Sequence, residues 1–325
     1  MLGTAQGVRI GITGLGVHVP EKVMTNDELA ELVETSDEWI RERTGIRERR
    51  IASQEEALTD IALPAARAAL EDAGVEAADI DLLICATVTP DMMFPTSSAL
   101  LADTLGMPHA AAYDLLAGCT GFVYAIAQAY GMLASGLSRR SLVVGGDVLS
   151  KILDWEDRST LVLFGDGAGA VVMEPVEKGG FIGFELGADG GGGEFLWYPG
   201  SGSRHFDDPH SFVKMNGREV FKFATRVMNE HWPEQLQEDV VLSTWSAPNF
   251  DLAQDARLED GGYAHVEDIG DGRAWVSSCP CRSDFAFSPP STGLSPVQKA
   301  RLAGKKSGVQ RVGKEHVAYR ATIHT

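Results

Sequence analysis

The sequence lacks the features that mark secreted, membrane-spanning and nucleic-acid-binding proteins. Four cysteines in 325 residues are too few for a disulfide framework. No run approaches the roughly 18 consecutive apolar residues of a membrane helix, and the first residues carry no export-signal pattern. Basic residues are scarce too, since 28 Lys and Arg stand against 46 Asp and Glu, for a net charge of −18. We therefore expect a cytoplasmic protein that binds neither nucleic acid nor membranes.

Short apolar runs alternate with helical patterns over the first two-thirds of the chain, which indicates a layered α/β fold. The patterns predict strands at Val8–Gly16, Leu82–Thr87, Ala111–Leu116, Ser141–Val148, Thr160–Phe164 and Gly169–Met173. They predict helices at Thr25–Val33, Ser36–Arg43, Leu58–Ala73, Ser97–Leu105, Gly121–Leu133 and Gly217–Met228.

The character of the sequence changes at about Asn229. Residues 229–281 carry 2 basic and 11 acidic side chains, whereas residues 282–325 carry 8 basic and 2 acidic ones. No segment after Asn229 predicts a buried parallel strand, because Gly, Pro, Ser and charged residues interrupt every apolar run. We therefore expect the second half of the fold to be atypical or incomplete.

Cys119 stands between a predicted strand and an apolar helix. A thiol at a helix N-terminus meets unpaired backbone N–H groups and the positive end of the helix dipole, and both favour the reactive thiolate. Gly118 and Gly121 would let the backbone approach an acyl carbonyl closely. Cysteines are also common as inert core residues. The spacing alone leaves a nucleophile and a core residue equally open.

Five segments carry a resemblance to a known family. In chain order they are MTNDELAELVETSDEWIRERTGIRERR (24–50), DLLAGCTGFVYAI (114–126), LVVGGDVLSKI (142–152), DRSTLVLFGDGAGAVVM (157–173) and MNGREVFKFAT (215–225). Together they resemble β-ketoacyl-acyl-carrier-protein synthase III, in that family's order and spacing. The resemblance covers about residues 8–228, and the rest of the chain is unmatched.

The resemblance implies a thiolase-like fold of two related α/β halves. Residues 1–180 would form the half that carries the nucleophile, and residues 181–325 a second half that is family-like only to about residue 228. The family starts fatty-acid synthesis by condensing a primer acyl-CoA, with acetyl-CoA expected, with malonyl-acyl-carrier protein. Cys119 matches the residue that carries the acyl thioester. The implied partners are acyl-CoA as substrate, acyl-carrier protein and a second copy in a homodimer, with no other cofactor.

Residues outside the nucleophile segment match the family's coenzyme A contacts. Trp39 and Arg158 match a pair that encloses the adenine, because an indole face and a guanidinium plane both stack on a purine. Thr35 matches a neighbouring adenine contact, Arg43 a phosphate contact, and Phe164 an apolar wall near the nucleophile. Two structural alternatives stay open, namely that Trp39 is a packing anchor and Arg158 a member of a surface ion pair.

A basic stripe is predicted on the helix near residue 220. Arg218, Lys222 and Arg226 recur every four residues and therefore share one helix face. In an acidic protein this stripe could receive an acidic carrier protein, and Lys222 matches a family position of that kind. A solvated helix face is the alternative. Cys279 and Cys281 have no second pair of ligands nearby, so no metal site is expected.

Two motifs of the family are absent from the sequence. The family has a His in a Pro-His-Gln-Ala-Asn motif and an Asn in a Gly-Asn-Thr-Ser motif, and Pro248-Asn249 stands near the expected place. A reading-frame change near residue 229 would explain the loss. A divergent second half is the other interpretation, and it would suit an acyltransferase, a catalytically silent carrier-binding homologue or a scaffold. Under either interpretation we expect condensation to be absent or severely reduced.

Overall fold

The structure is a computed structural model that describes residues 8–181, 183–184, 186–200, 202–204, 211–230, 242–243, 265–270 and 273–277. Its strands are β1 (Ile10–His18), β2 (Lys22–Thr25), β3 (Glu48–Ile51), β4 (Leu82–Ala86), β5 (Ala111–Leu115), β6 (Ser141–Val148), β7 (Asp166–Pro175), β8 (Leu196–Trp197), β9 (Lys214–Met215), β10 (Leu242–Ser243), β11 (His265–Gly270) and β12 (Arg273–Ser277). The α-helices are α1 (Asn26–Ala30), α2 (Asp37–Thr44), α3 (Leu58–Ala73), α4 (Ser97–Leu105), α5 (Gly121–Ala134), α6 (Arg158–Leu161) and α7 (Gly217–Glu230).

A five-stranded mixed sheet in the order β1-β7-β6-β4-β5 forms the centre of the fold. Strand β4 is parallel to both of its neighbours, β5 and β6, while β7 is antiparallel to β6 and β1. The carboxyl ends of β4, β5 and β6 therefore lie at one edge of the sheet. This edge is where an α/β fold usually places its chemistry.

Helices cover both faces of this sheet. Residues of α3 and α4 share one core with Leu83 and Cys85 of β4, while α5 shares another with the alternate residues Leu82 and Ile84. The five residues of β4 are all buried, as expected for a strand enclosed between two helical layers. A third core joins α1, α2, β3 and α6 beside the sheet.

Close contact between β1 and α3 depends on two glycines. A Cβ atom on Gly16 would lie 2.0 Å from the carbonyl oxygen of Ala65, and one on Gly14 would lie 2.2 Å from that of Ala69. No side chain fits into such a space. Gly14 and Gly16 thus serve helix–sheet packing.

Most of the predicted elements agree with the structure, and one does not. The bounds of α3, α4 and β6 are those predicted. The predicted strand at Thr160–Phe164 is wrong, because residues Arg158–Leu161 form α6, a short helix that Asp157 caps by accepting from the Ser159 N–H. Strand β7 pairs with β6 and β1.

Parts of the last 97 residues are also described. Strand β12 pairs antiparallel with β11 and, over two residues, parallel with β10. The expectation that no buried parallel strand follows Asn229 stays a prediction. Pro248, Asn249, Cys279 and Cys281 lie outside the described residues. In the described part of the chain, no helix is both long and apolar enough to cross a membrane.

Candidate active site

Cys119 lies in a tight turn between the end of β5 and the start of α5. Gly118 adopts a left-handed φ of +56°, which a residue with a side chain rarely adopts. Residues Gly118–Thr120 form one 3₁₀ turn, and the Thr120 hydroxyl donates to the Ala117 carbonyl at 2.6 Å. The Cys119 side chain is exposed. The turn therefore presents the thiol at the carboxyl edge of the sheet, two residues before α5 begins.

The start of α5 rests directly on the ends of β4 and β5. A Cβ atom on Gly121 would lie 3.3 Å from Ala86 Cβ and 3.7 Å from Leu115 Cδ2. The next residue, Phe122, covers Gly145 of β6, where a Cβ atom would meet the phenyl ring at 2.7 Å. Small residues below the helix thus allow it to sit close to the sheet, and the position of Cys119 depends on the strand ends beneath it.

Trp39 and two arginines form a second cluster. Ser36 caps α2 by accepting from the Trp39 N–H at 3.1 Å. Arg43, one helical turn further along α2, places its Cζ atom 4.5 Å from the centre of the indole. Arg158, the first residue of α6, places its Cζ atom 4.9 Å from the same centre. The structure therefore brings together three residues that the sequence predicted for coenzyme A.

An open cleft of about 750 Å³ lies beside this cluster, lined by Leu32, Val33, Glu34, Glu156 and Arg158. The Arg158 Nη1 atom donates to the Glu34 carbonyl at 3.0 Å across the cleft. The Arg158 guanidinium lies on the indole. An adenine ring could therefore enter between the two groups only if the guanidinium moved until it lay about 7 Å from the indole plane, which is twice a contact distance of about 3.5 Å.

Thr35 lies at the same end of α2. Its Oγ1 atom is buried and has no hydrogen-bond partner among the residues that the structure describes. A buried hydroxyl without a partner loses free energy that a bound polar group would restore. The contact to adenine that the family resemblance assigns to Thr35 stays a prediction.

A buried pair, Asn26 and Arg49, holds this region together. Arg49 donates from Nη1 to Asn26 Oδ1 at 2.9 Å and from Nη2 to the Val162 carbonyl at 3.1 Å. Asn26 in turn donates to Asp37 Oδ1 at 2.9 Å. Burial lowers the pKa of Arg49 to about 10. Because this pKa is still above neutral pH, the guanidinium remains charged there. This pair joins α6 to α2, and sequence reasoning missed it although both residues lie in a matched segment.

Phe164 is buried and belongs to the third core, together with Leu161 and Ile40. The residues that pack around α5 form a different core, which contains Ile84 and Val143. The predicted role of Phe164 as a wall beside the nucleophile stays a prediction.

The predicted basic stripe lies on the exposed face of α7. Arg218, Lys222 and Arg226 are exposed, whereas Ala224 and Val227 are buried. Lys222 forms an ion pair of 2.6 Å with Glu219, and Arg226 one of 3.6 Å with Asp189. The stripe is therefore present, and acidic neighbours offset part of its charge.

Comparison with known proteins identifies the family. The family model for 3-oxoacyl-[acyl-carrier-protein (ACP)] synthase III matches residues 113–190, which include Cys119, Arg158 and Phe164. A beta-ketoacyl-[acyl-carrier-protein] synthase III of Desulfitobacterium hafniense is 50% identical over 230 residues, covering 69% of this chain and 70% of the relative. The chain belongs to the β-ketoacyl-acyl-carrier-protein synthase III family. The resemblance read from the five segments is thereby confirmed.

Two further comparisons extend this result. A synthase III of Caldanaerobacter subterraneus subsp. tengcongensis is 48% identical over 286 residues, covering 82% of this chain and 86% of the relative. That match covers more of the chain than the two-thirds that carry the motifs. The crystal structure of the Thermus thermophilus synthase III is similar with a TM-score of 0.66 and 46% identity, covering 72% of this chain and 76% of the other. The predicted thiolase-like α/β fold is confirmed.

Proposed function

We propose that this chain carries out the acyl-loading step of a β-ketoacyl-acyl-carrier-protein synthase III, with Cys119 as the nucleophile. The observation that carries the proposal is the exposed Cys119 in the turn between β5 and α5. The Cys119 thiolate would attack the thioester carbonyl of acetyl-CoA or another short acyl-CoA. A new bond forms between carbon and Sγ, the bond to the coenzyme A sulfur breaks, and the departing thiolate takes up a proton. Backbone N–H groups at the start of α5 favour the negative charge.

We propose that the cluster on α2 and α6 binds the nucleotide end of coenzyme A. Trp39 and Arg158 would enclose the adenine, Thr35 would contact its polar edge, and Arg43 would pair with a phosphate. This assignment is supported by the 4.5 and 4.9 Å distances of the two guanidinium groups from the indole centre and by the open cleft beside Arg158.

The second half-reaction makes a greater demand on the protein. When malonyl-carrier protein loses carbon dioxide, hydrogen-bond donors must stabilise the enolate, whose carbon then attacks the Cys119 thioester. The sequence has neither of the family motifs that would supply these donors. We therefore propose that this chain condenses poorly or not at all. Acyl transfer without condensation is the second candidate function, because Cys119 and the nucleotide contacts are present while those motifs are absent.

We propose that α7 receives the carrier protein. Arg218, Lys222 and Arg226 form an exposed basic stripe in a protein with a net charge of −18. Because the overall charge repels an acidic carrier, such a partner needs a local cationic surface.

We propose a cytoplasmic homodimer that pairs at the β5 edge of the sheet. Strand β5 ends the strand order, and only β4 pairs with it among the described residues. Met93, Phe94 and Leu116 are 65%, 83% and 76% exposed, and exposed apolar side chains of this size favour an interface. Sedimentation velocity over a concentration series would measure the association.

The division into halves at residue 180 also stays a proposal, supported by the completion of the sheet at Pro175.

Incubation with acetyl-CoA that is radiolabelled in the acetyl group tests the loading step. We expect stoichiometric labelling of the chain, its loss in Cys119→Ala, and its retention in Cys85→Ala. Cys85 is the matched control because it is fully buried, and this burial raises the pKa of its thiol. Labelling that survives Cys119→Ala would refute the assignment.

Two further measurements separate the remaining alternatives. Release of carbon dioxide from malonyl-carrier protein at a rate typical of an enzyme, about 1 s⁻¹ or faster, would refute the expected loss of condensation. Translation of the other two reading frames after codon 228 tests the frame interpretation. If neither frame contains Pro-His-Gln-Ala-Asn, a divergent second half remains.

A further inference from the structure

One carboxylate oxygen accepts several hydrogen bonds from the turn that follows β4. Asp147 Oδ1 accepts from the Thr87 hydroxyl at 2.9 Å, the Val88 N–H at 2.8 Å, and the N–H and hydroxyl of Thr89 at 3.2 and 3.0 Å. The Thr89 hydroxyl also accepts from the Val148 N–H at 2.8 Å. Burial raises the pKa of Asp147, and these hydrogen bonds partly oppose the shift. Five hydrogen bonds thus join the turn after β4 to the end of β6.

The same turn is joined to the strand that leads to Cys119. The Thr87 N–H donates to the Leu115 carbonyl at 3.1 Å, across the ends of β4 and β5. The first residue of α5, Gly121, sits against these ends, because its Cβ position lies 3.3 Å from Ala86 Cβ and 3.8 Å from the Leu115 carbonyl oxygen. A displacement of the turn would therefore reach both sides of the segment that carries Cys119.

We propose that Asp147 is a positioning residue for the Cys119 nucleophile. Asp147 holds Thr87, Thr87 holds the end of β5, and the ends of β4 and β5 support the start of α5. This inference rests on the proposed role of Cys119. Two other carboxylates make contacts around the same loop. Asp91, within the loop, accepts from Thr59 of α3, and Asp114 of β5 accepts from the Ser97 and Ser98 N–H groups at the start of α4.

The opposite end of β4 offers a matched control. Asp81 accepts from the Ser138 hydroxyl at 2.6 Å and from the Arg139 and Arg140 N–H groups at 3.0 and 3.2 Å. Its own backbone bonds to Arg140 and Ala111. Asp81 is thus a hub of comparable size that joins the same three strands, but it lies a full strand length from the turn that carries Cys119.

The experiment compares Asp147→Ala, Asp147→Asn and Asp81→Ala in the full chain. Three quantities are measured on each: single-turnover acetylation from acetyl-CoA, the dissociation constant of coenzyme A, and alkylation of Cys119 by iodoacetamide, located by peptide mass spectrometry. We expect Asp147→Ala to slow acetylation about tenfold to a hundredfold, because small displacements of a nucleophile cost this much. Asp147→Asn keeps an Oδ1 acceptor and should recover most of the rate.

The control should behave differently. Asp81→Ala should lower the melting temperature as Asp147→Ala does, yet change the acetylation rate per folded molecule by less than about twofold, because its hub lies far from the nucleophile. The coenzyme A dissociation constant should stay unchanged in all three variants. Equal slowing in the two alanine variants, or no recovery in Asp147→Asn, would show that Asp147 serves stability alone.

A second pair of variants covers a failure of Asp147→Ala to fold. Thr89→Val removes the hydroxyl between Asp147 and Val148, and Thr104→Val removes one that donates to Leu100 within α4. Only Thr89→Val should slow acetylation, and equal rates in the two would overturn the proposal. If the unchanged chain takes up no acetyl group, the proposed function fails. The rate of Cys119 alkylation is then the only readout, and an unaltered rate in Thr89→Val would overturn the positioning role.

Discussion

Removal of the Trp39 indole separates a nucleotide-binding site from a packing anchor. In the structure Arg43 and Arg158 place their guanidinium carbons 4.5 and 4.9 Å from the indole centre. Stacking of a base on an aromatic side chain contributes about 1–3 kcal/mol. Because 1.4 kcal/mol corresponds to a factor of ten, Trp39→Ala should weaken coenzyme A binding by about 5- to 150-fold. Trp39→Phe keeps a smaller ring and should lose less.

The assay compares two acyl donors. Acetyl-CoA carries the adenine nucleotide, whereas S-acetylpantetheine lacks it but delivers the same acetyl group to Cys119. Trp39→Ala should slow acetylation by subsaturating acetyl-CoA and leave the rate with acetylpantetheine unchanged. Calorimetric titration with coenzyme A measures the affinity directly.

A matched control is Trp197→Ala. Trp197 is 39% exposed and lies 5.2 Å below the Lys214 ammonium group, so it resembles Trp39 in its cationic neighbour but belongs to β8. We expect this variant to bind coenzyme A normally. An equal loss with both acyl donors in Trp39→Ala would refute the reasoning and show that Trp39 only packs against the third core.

Two further predictions concern stability. Gly16→Ala should destabilise the fold by about 1–3 kcal/mol in urea unfolding, because its Cβ would overlap the Ala65 carbonyl. The control Gly131→Ala has open space around the new methyl group and should stabilise α5 by about 0.5–1 kcal/mol. Equal effects of the two substitutions would contradict the packing argument. Burial raises the pKa of Asp81, but hydrogen bonds from Ser138, Arg139 and Arg140 together bring it below the ordinary value of 3.8. The ionised carboxylate therefore stabilises the fold above pH 3.8, and this contribution is lost as pH falls through the folded-state pKa. Asp81→Asn should thus cost about 1–2 kcal/mol at pH 7 and progressively less below pH 3.8, and a difference that does not change with pH would contradict the assignment.

The elements with strong local patterns could be predicted from the sequence. The apolar spacing of Leu58–Ala73 and the β-branched run in Ser141–Val148 predicted α3 and β6 within their observed bounds. Thr160–Phe164 failed because a short apolar run fits a strand and a buried helical turn equally well. The cap at Asp157 decided in favour of the helix.

Residues of the candidate site could be predicted only where they match a motif of the family. Cys119, Trp39 and Arg158 were found in this way. The pair Asn26 and Arg49 was not, because its function lies in contacts between segments more than 20 residues apart. A sequence pattern indicates which residues are neighbours along a helix or strand, but it does not indicate which loops meet in space.

The sequence by itself determined the family, the alternation of strands and helices, and the place of Cys119 between a strand and a helix. Only the tertiary structure decided what supports that cysteine. Asp147 reaches the nucleophile segment through Thr87 and Leu115, and these three residues meet because β6, β4 and β5 are adjacent and parallel, with their ends in register. Strand order and register arise from burial of the whole sheet between two helical layers. No local stretch of the chain contains that information.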